Sequence, residues 1–274
     1  MIRLAKGASP VRYVYFTKSF DKLTVPQIID FLKSAGVDGA DLAVRPNYTV
    51  NPDNVVTELP KAAKAFEDAG LIISLVTAHT SLNDPESATA RRLFDACGKA
   101  RVPAIKLGYF PYTGQFDSAL ADARKRLAGF ARLAMKTGVR ACYHTHSGNF
   151  LGSNAAGLRL LLQDLDPHDV GAYLDTGHLA VGGSPFPMEV DMVRRWFSLL
   201  SIKDMLWERK GDLWQHKVVP VGEGIIHWKE IARGLKEVGF DGTISLHAEY
   251  EARDLDHRRK LAQQELAYLK KQFA

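Results

Sequence analysis

The feature that most constrains the fold of this chain is a regular alternation of short apolar segments with longer amphipathic ones. Each short segment is bounded by glycine, proline, aspartate or asparagine, as is typical of β-strands. Eight segments fit this description: residues 13–16, 39–44, 71–76, 104–107, 140–144, 170–174, 199–203 and 243–246. Between them, apolar residues recur at helical spacing, as in Ile28, Leu32 and Ala35. Gly36 then stands where it can end that helix in a left-handed conformation.

Strict alternation of strand and helix predicts a parallel sheet with right-handed crossover connections. Eight such units in 274 residues match the count and length of a (β/α)8 TIM barrel, and we predict one barrel domain over residues 1–274. A doubly wound open sheet is the alternative, but its first turn is usually rich in glycine, and residues 17–22 read TKSFDK. The two longest irregular segments, 182–187 and 207–224, are expected to be extended loops rather than linkers.

Composition and charge exclude several classes of protein. Apolar residues make up 46% and charged residues 24%, as in soluble globular proteins. No apolar run is long enough to span a membrane, and the first residues lack the apolar segment of a signal peptide. The only cysteines, Cys97 and Cys142, argue against a disulfide scaffold and favour a cytoplasmic location. The net charge of +5 comes with basic clusters in helical segments, where a solvated surface is the simpler interpretation, so we expect no nucleic-acid partner.

Polar side chains recur on one face of the predicted strands, near their carboxyl ends. Side chains of a barrel strand point alternately to the interior and to the helices, and aliphatic residues occupy the outward set in five strands. The inward set contains Lys106, Cys142, His144, His146, Tyr173, Asp175, Ser201, Lys203, Ser245, His247 and Glu249. Because burying unpaired polar groups is costly, we expect these side chains to surround a solvated cavity at the C-terminal rim, where TIM barrels carry their active sites.

Histidines are concentrated at this rim. Five of the nine lie at or just beyond a predicted strand end: His79, His144, His146, His178 and His247. A single histidine would more often be a structural residue, but five that converge with Asp175 and Glu249 favour a divalent-metal site. Imidazole and carboxylate ligands together suit Mn, Fe, Co or Zn. No H-E-x-x-H or cysteine-based zinc spacing is present, so the ligands would come from different strands.

At these residues the chain resembles the sugar phosphate isomerase/epimerase family, the xylose-isomerase-like TIM barrels. The matching segments are GVDGADLAVRP, LIISLVTAHT, GVRACYHTHSG, VGAYLDTGHLAVGG, LLSIKD, VVPVGEG and GFDGTISLHAEYE. The family includes ketose 3-epimerases, inosose dehydratases and, more distantly, DNA-repair enzymes of the endonuclease IV type. The segment YHTH at residues 143–146 is similar to the inosose dehydratase branch.

The resemblance implies a metal site, with departures from the usual ligands. Family members typically bind one divalent ion through glutamate, aspartate, histidine and glutamate on their fifth to eighth strands. Asp175 matches, whereas His144, Ser201 and His247 stand at the other three positions, and Glu249 lies two residues beyond His247. The resemblance therefore implies that His144, Asp175 and His247 hold Mn, Zn, Co or Fe, with Glu249 as a possible fourth ligand. The two glutamates that act as the acid/base pair of the epimerases are not in their places.

The leading hypothesis is metal-assisted enolisation of a keto-sugar or sugar derivative by an isomerase or epimerase. The proton beside the carbonyl becomes acidic when the developing negative charge on oxygen is stabilised. Glu249, His146 and Lys203 are the candidate bases, and Lys106 or Lys203 can neutralise the charge. Expected substrate contacts are Arg45, His79, Lys106, His178, Glu223 and Trp207, with Trp214 as a further sugar-stacking candidate. For Arg45 and Glu223, a salt bridge at the rim stays open as the alternative.

Three other functions stay open. Loss of a leaving group after enolisation would make the protein a dehydratase or lyase acting on a keto-sugar or keto-inositol. The altered ligand positions also allow a non-catalytic sugar-binding barrel. An abasic-site nuclease ranks last, because enzymes of that type need three ions and more ligands than this rim offers. The expected partner is a small-molecule sugar, without nucleic acid or membrane, and a homodimer is compatible with this kind of barrel.

Overall fold

A closed barrel of eight parallel strands forms the centre of the computed structural model, which describes residues 11–273. The barrel strands are β1 (Arg12–Phe16), β2 (Gly39–Val44), β3 (Ile72–Ala78), β4 (Ala104–Lys106), β5 (Arg140–His144), β6 (Val170–Asp175), β7 (Phe197–Ile202) and β10 (Thr243–Leu246). The order around the barrel is β1-β10-β7-β6-β5-β4-β3-β2. The predicted (β/α)8 fold is confirmed. Residues 1–10, for which no signal peptide is predicted, lie outside the described residues.

Most of the helices surround the barrel and bury an apolar stripe against it. Their bounds are α1 (Val25–Ala35), α2 (Val55–Asp68), α3 (Ala88–Lys99), α4 (Phe116–Thr137), α5 (Ala155–Leu162), α6 (Thr176–Gly182), α7 (Phe186–Met192), α8 (Trp228–Val238) and α9 (Leu255–Phe273). Helix α1 begins at a capping box formed by Thr24 and Gln27 and ends at Gly36, whose φ of 77° only glycine adopts readily. Within residues 11–273, every helix is too short or too polar to cross a membrane.

The connection after β7, expected to be irregular, contains a β-hairpin. Strands β8 (Asp204–Lys210) and β9 (Leu213–Val219) pair antiparallel around a turn at Gly211, which has a φ of 64°. Most hairpin side chains are exposed, so the segment lacks the apolar run that marks a barrel strand. The segment is thus an extended loop between β7 and α8, as expected, but its two strands are paired and not irregular.

A small apolar cluster fills the barrel interior beneath the rim. It consists of Val14, Leu75, Ala104, Cys142, Tyr173 and Leu199, each contributed by a different strand. Cys142 is fully buried in this layer and serves packing, as the inward set predicted. The layer closes the floor of the barrel, and the polar side chains of the inward set lie above it at the carboxyl ends of the strands.

Candidate active site

A small cavity of about 70 Å³ opens at the C-terminal rim of the barrel. Seven of the predicted site residues line it: Arg45, Lys106, His144, His146, Lys203, His247 and Glu249. The alternation of side chains along each strand therefore brought residues that are distant in sequence to one place.

Three of the predicted metal ligands, His144, Asp175 and His247, lie close enough together to hold one ion. One ligand atom of each lies within 4.8 Å of the others, and all three side chains are buried. Asp175 is oriented by its neighbours: Oδ1 accepts the backbone N–H of His178 at 2.9 Å, and Oδ2 accepts the hydroxyl of Ser201 at 2.7 Å. Ser201 thus supports the carboxylate.

The chemistry of His144 fits a metal ligand. Its Nδ1 lies 3.2 Å from the hydroxyl of Tyr109, while its Nε2 is buried without a hydrogen-bond partner among the described residues. That Nε2 atom lies 3.4 Å from Asp175 Oδ2. Burial lowers the pKa of His144 to about 3, so the ring is neutral near pH 7 and carries the lone pair that a metal requires.

His247 belongs to a hydrogen-bonded group with Asp41, which sequence reasoning missed. His247 Nε2 lies 2.9 Å from the Tyr173 hydroxyl and 3.2 Å from Asp41 Oδ2. Asp41 is fully buried and also accepts the hydroxyls of Thr77 and Ser245. The sequence does indicate an inward-facing role for Asp41, because it is the only charged residue in an apolar strand and shares the inward face with Arg45.

Lys203 and Glu249 form an ion pair at the cavity wall. Lys203 Nζ lies 2.8 Å from Glu249 Oε1 and 3.6 Å from Asp175 Oδ2, and Lys18 contacts the other oxygen of Glu249. Burial opposes the charge of Lys203, but the carboxylates of Asp175 and Glu249 raise its pKa above the ordinary value. Burial likewise opposes the charge of Glu249, and Lys203 and His247 hold its pKa far below the ordinary value. Both groups are therefore charged near neutral pH.

Lys106 differs from Lys203, because it lacks a carboxylate partner among the described residues. Its side chain is 3% exposed, and Nζ lies 3.9 Å from the ring centroid of Tyr109, a cation–π contact. Burial and the nearby guanidinium of Arg45 lower the pKa of Lys106 to about 7. An amine with this pKa exchanges a proton readily near neutral pH.

His146 and His178 stack at the cavity edge, with ring centroids 3.8 Å apart. His146 Nδ1 lies 2.6 Å from the carbonyl oxygen of Ser147, so Nδ1 carries the proton and Nε2 the lone pair. His178 Nδ1 contacts the hydroxyl of Ser147 at 2.8 Å, and its Nε2 lies 3.2 Å from Lys203 Nζ. Burial lowers the pKa of both histidines, which keeps the rings neutral.

Four predicted substrate contacts lie outside the cavity: His79, His178, Glu223 and Trp207. His79 is exposed and bonds to Ser81, and Glu223 is exposed in the turn after β9. Trp207 lies on the hairpin and lines a neighbouring groove together with His178. Five lining residues were not predicted: Phe16, Lys18, Thr77, Thr80 and Tyr109. Phe16 and Thr77 belong to barrel strands, whereas Lys18, Thr80 and Tyr109 each follow one.

A family model of the xylose isomerase-like TIM barrel matches residues 29–272 of the chain. The chain belongs to this family. Among curated relatives, this xylose isomerase-like barrel is 24% identical over 256 residues to an inosose dehydratase of Lacticaseibacillus casei, covering 84% of each chain.

Solved structures show the same fold at low identity. The 3-keto-D-glucoside 4-epimerase YcjR from E. coli matches with a TM-score of 0.74 and 12% identity, over 95% of this chain and 99% of that chain. The D-psicose 3-epimerase from Clostridium cellulolyticum H10 matches with a TM-score of 0.74 and 13% identity, over 96% and 99%. The xylose isomerase-like barrels similar to this one thus include sugar epimerases and a dehydratase.

Proposed function

We propose that this protein is a sugar isomerase or epimerase that removes the proton beside the carbonyl of a keto-sugar. The observation that carries the proposal is one cavity that combines a histidine lone pair, at His146 Nε2, with two buried lysines, Lys106 and Lys203. A base and a cation that face the same small cavity are what enolisation requires. The names of the epimerase neighbours support the same reaction class.

Each group in the cavity has a separate task. His146 Nε2 takes the proton from carbon, because Nδ1 is already committed to the carbonyl of Ser147. Negative charge then develops on the carbonyl oxygen, and the ammonium of Lys203 donates a hydrogen bond to it. The carboxylates of Asp175 and Glu249 keep Lys203 charged for this purpose.

The fate of the proton decides the product. Return of the proton to the former carbonyl carbon, while the proton of the adjacent hydroxyl passes to the former carbonyl oxygen, yields the aldose–ketose isomer. Return of a proton to the original carbon from a second group yields the epimer. Lys106, with a pKa lowered to about 7 by burial, is the second group that can supply that proton. Glu249, held ionised by Lys203 and Lys18, accepts hydrogen bonds from substrate hydroxyls rather than protons from carbon.

A divalent ion, Mn, Zn, Co or Fe, would be held by His144, Asp175 and His247. The buried, unpartnered Nε2 atom of His144 supports this assignment. When bound, such an ion supplies Lewis-acid polarisation of the substrate carbonyl. Glu249, the fourth ligand expected from the sequence, is committed to Lys203 and Lys18, so we propose a set of three protein ligands.

We expect protein purified without chelator to contain close to one equivalent of a transition metal, measured by mass spectrometry of the elements. His144→Ala should lose most of it, because the variant removes the one ligand atom that has no other partner. His168→Ala is the matched control, since His168 is exposed on the loop before β6. Equal metal content in the two variants, or none in the wild type after incubation with these metals, would contradict the ligand set.

Elimination is the second candidate function, favoured by the inosose dehydratase relative. It would begin with the same removal of a proton by His146. The electrons of the broken C–H bond would then expel a hydroxyl from the next carbon, and Lys203 would donate the proton that lets it leave as water. The product would be an enone rather than a rearranged sugar.

A screen of keto-sugars and keto-inositols with product analysis tests the proposal. We expect an epimer or an aldose by chromatography, whereas an ultraviolet band of an enone would favour the dehydratase. If every compound is recovered unchanged although it binds, the protein is a sugar-binding barrel without this chemistry. Binding measured by calorimetry in the same screen separates that outcome from the use of unsuitable compounds.

A further inference from the structure

We propose that the groove between the hairpin and α6 is a second sugar-binding site, so that the substrate is a glycoside whose second ring lies in this groove. This inference rests on the proposed function for the first ring only. The groove has a volume of about 740 Å³, against about 70 Å³ for the catalytic cavity. A single ring therefore leaves most of the available space unused.

The hairpin presents two exposed tryptophans to the groove. Trp207 is 43% exposed and Trp214 is 64% exposed, whereas the other two tryptophans of the chain are buried. The register pairs Trp207 with His216 and Arg209 with Trp214, so Trp207 and Trp214 share one face of the hairpin as diagonal neighbours. Large aromatic rings left in water on one surface mark an interaction site rather than a contribution to the core.

A continuous series of aromatic rings joins this surface to the catalytic cavity. His146 lines the cavity and stacks on His178 at 3.8 Å between centroids. His178 lies 6.4 Å from His216, which lies 5.9 Å from Trp207. A molecule that extends from the base at His146 thus meets aromatic faces along the whole path to the hairpin.

The chemistry of the lining selects a neutral carbohydrate. The residues that line the groove include no lysine, arginine, aspartate or glutamate. Its polar groups are the amides and hydroxyls of Gln215, Asn154, Ser147 and Ser153, which match sugar hydroxyls. Aromatic faces bind the C–H faces of a pyranose, whereas a phosphate would require cationic groups. The second ring is therefore a neutral glycosyl unit.

Binding of unreactive glucose probes tests this inference independently of turnover. We compare methyl β-D-glucoside with cellobiose, maltose and trehalose by calorimetry and tryptophan fluorescence. At least one disaccharide should bind about tenfold more tightly than the single ring, as expected for stacking worth roughly 1.4 kcal/mol. Trp214→Ala should abolish the difference, and Trp214→Tyr should restore part of it.

Leu213→Ala is the matched control, because Leu213 is adjacent, 65% exposed and on the other face of the hairpin. Leu213→Ala should retain the difference in affinity between the one-ring and two-ring probes, and its circular dichroism should match that of the wild type. Equal binding of one-ring and two-ring probes would overturn the inference. So would a concentration-dependent dimer, seen by light scattering, that the Trp214→Ala variant abolishes. Disaccharide binding without turnover of any keto-sugar would instead reject the proposed function and leave the groove assignment intact.

Discussion

Replacement of His146 by glutamine is expected to lower kcat by roughly 10²–10⁴-fold, the usual contribution of a positioned general base. Glutamine occupies a similar volume but offers no basic nitrogen at the position of Nε2. The fold should be unaffected, because His146 is partly exposed and its ring bonds only to the adjacent carbonyl of Ser147. Steady-state kinetics with the compound identified by the keto-sugar screen, together with thermal unfolding, measures both effects.

Two further variants make this prediction specific to the imidazole. His168→Gln carries the same substitution on the exposed loop before β6 and should retain wild-type kinetics. In His146→Ala, added imidazole should restore part of the activity by entering the space vacated by the ring. A kcat within threefold of the wild type in His146→Gln would show that another group removes the proton.

The two buried lysines of the cavity are expected to affect stability with opposite signs. Lys106→Met should raise the free energy of unfolding by about 2 kcal/mol or more at pH 7. The shift of its pKa from 10.5 to about 7 limits the gain in the free energy of unfolding to about 5 kcal/mol. The gain is smaller than this limit because methionine lacks the cation–π contact with Tyr109. Lys203→Met should instead destabilise the protein by about 3–5 kcal/mol, because Asp175 and Glu249 lose their buried partner. Both variants should lose activity.

The effect of Lys106→Met should depend on pH. Burial lowers the pKa of Lys106, so the unfolded chain binds more protons than the folded one between about pH 7 and 10.5. The destabilisation caused by burying the wild-type lysine is therefore at its full size below pH 7 and disappears as the pH rises towards 10.5. The gain in the free energy of unfolding of Lys106→Met should shrink in parallel. Urea unfolding at pH 7 and pH 10 measures this change. Destabilisation by Lys106→Met at pH 7 would contradict the unpaired, buried position of the amine.

The sequence was most informative where physical periodicity is strict. Alternation of side chains along a strand predicted that His144, Asp175 and His247 converge, because a two-residue period leaves each side chain only two directions. Gly36 ended α1 as expected, since its positive φ favours glycine. These inferences depend on local geometry that the closed barrel then brings together.

Pairing within the site could not be predicted in the same way. The ion pair between Lys203 and Glu249 joins β7 to the segment after β10, and its geometry depends on how the two carboxyl ends are staggered. Asp41 lies within β2 and not at its carboxyl end, so its hydrogen bonds to Tyr173 and Ser245 could not be inferred from strand-end position. The hairpin was missed because its exposed residues carry no apolar pattern.

Hydrogen exchange at carbon tests the central claim, removal of a proton beside a carbonyl, most directly. The wild-type enzyme and the compound identified in the screen are incubated in D₂O and followed by NMR. The account predicts deuterium at the carbon beside the carbonyl in product and recovered substrate, at a rate that falls with kcat in His146→Gln. Product that forms with its original hydrogen retained throughout would contradict it, because the hydrogen would then move without passing through a base open to solvent.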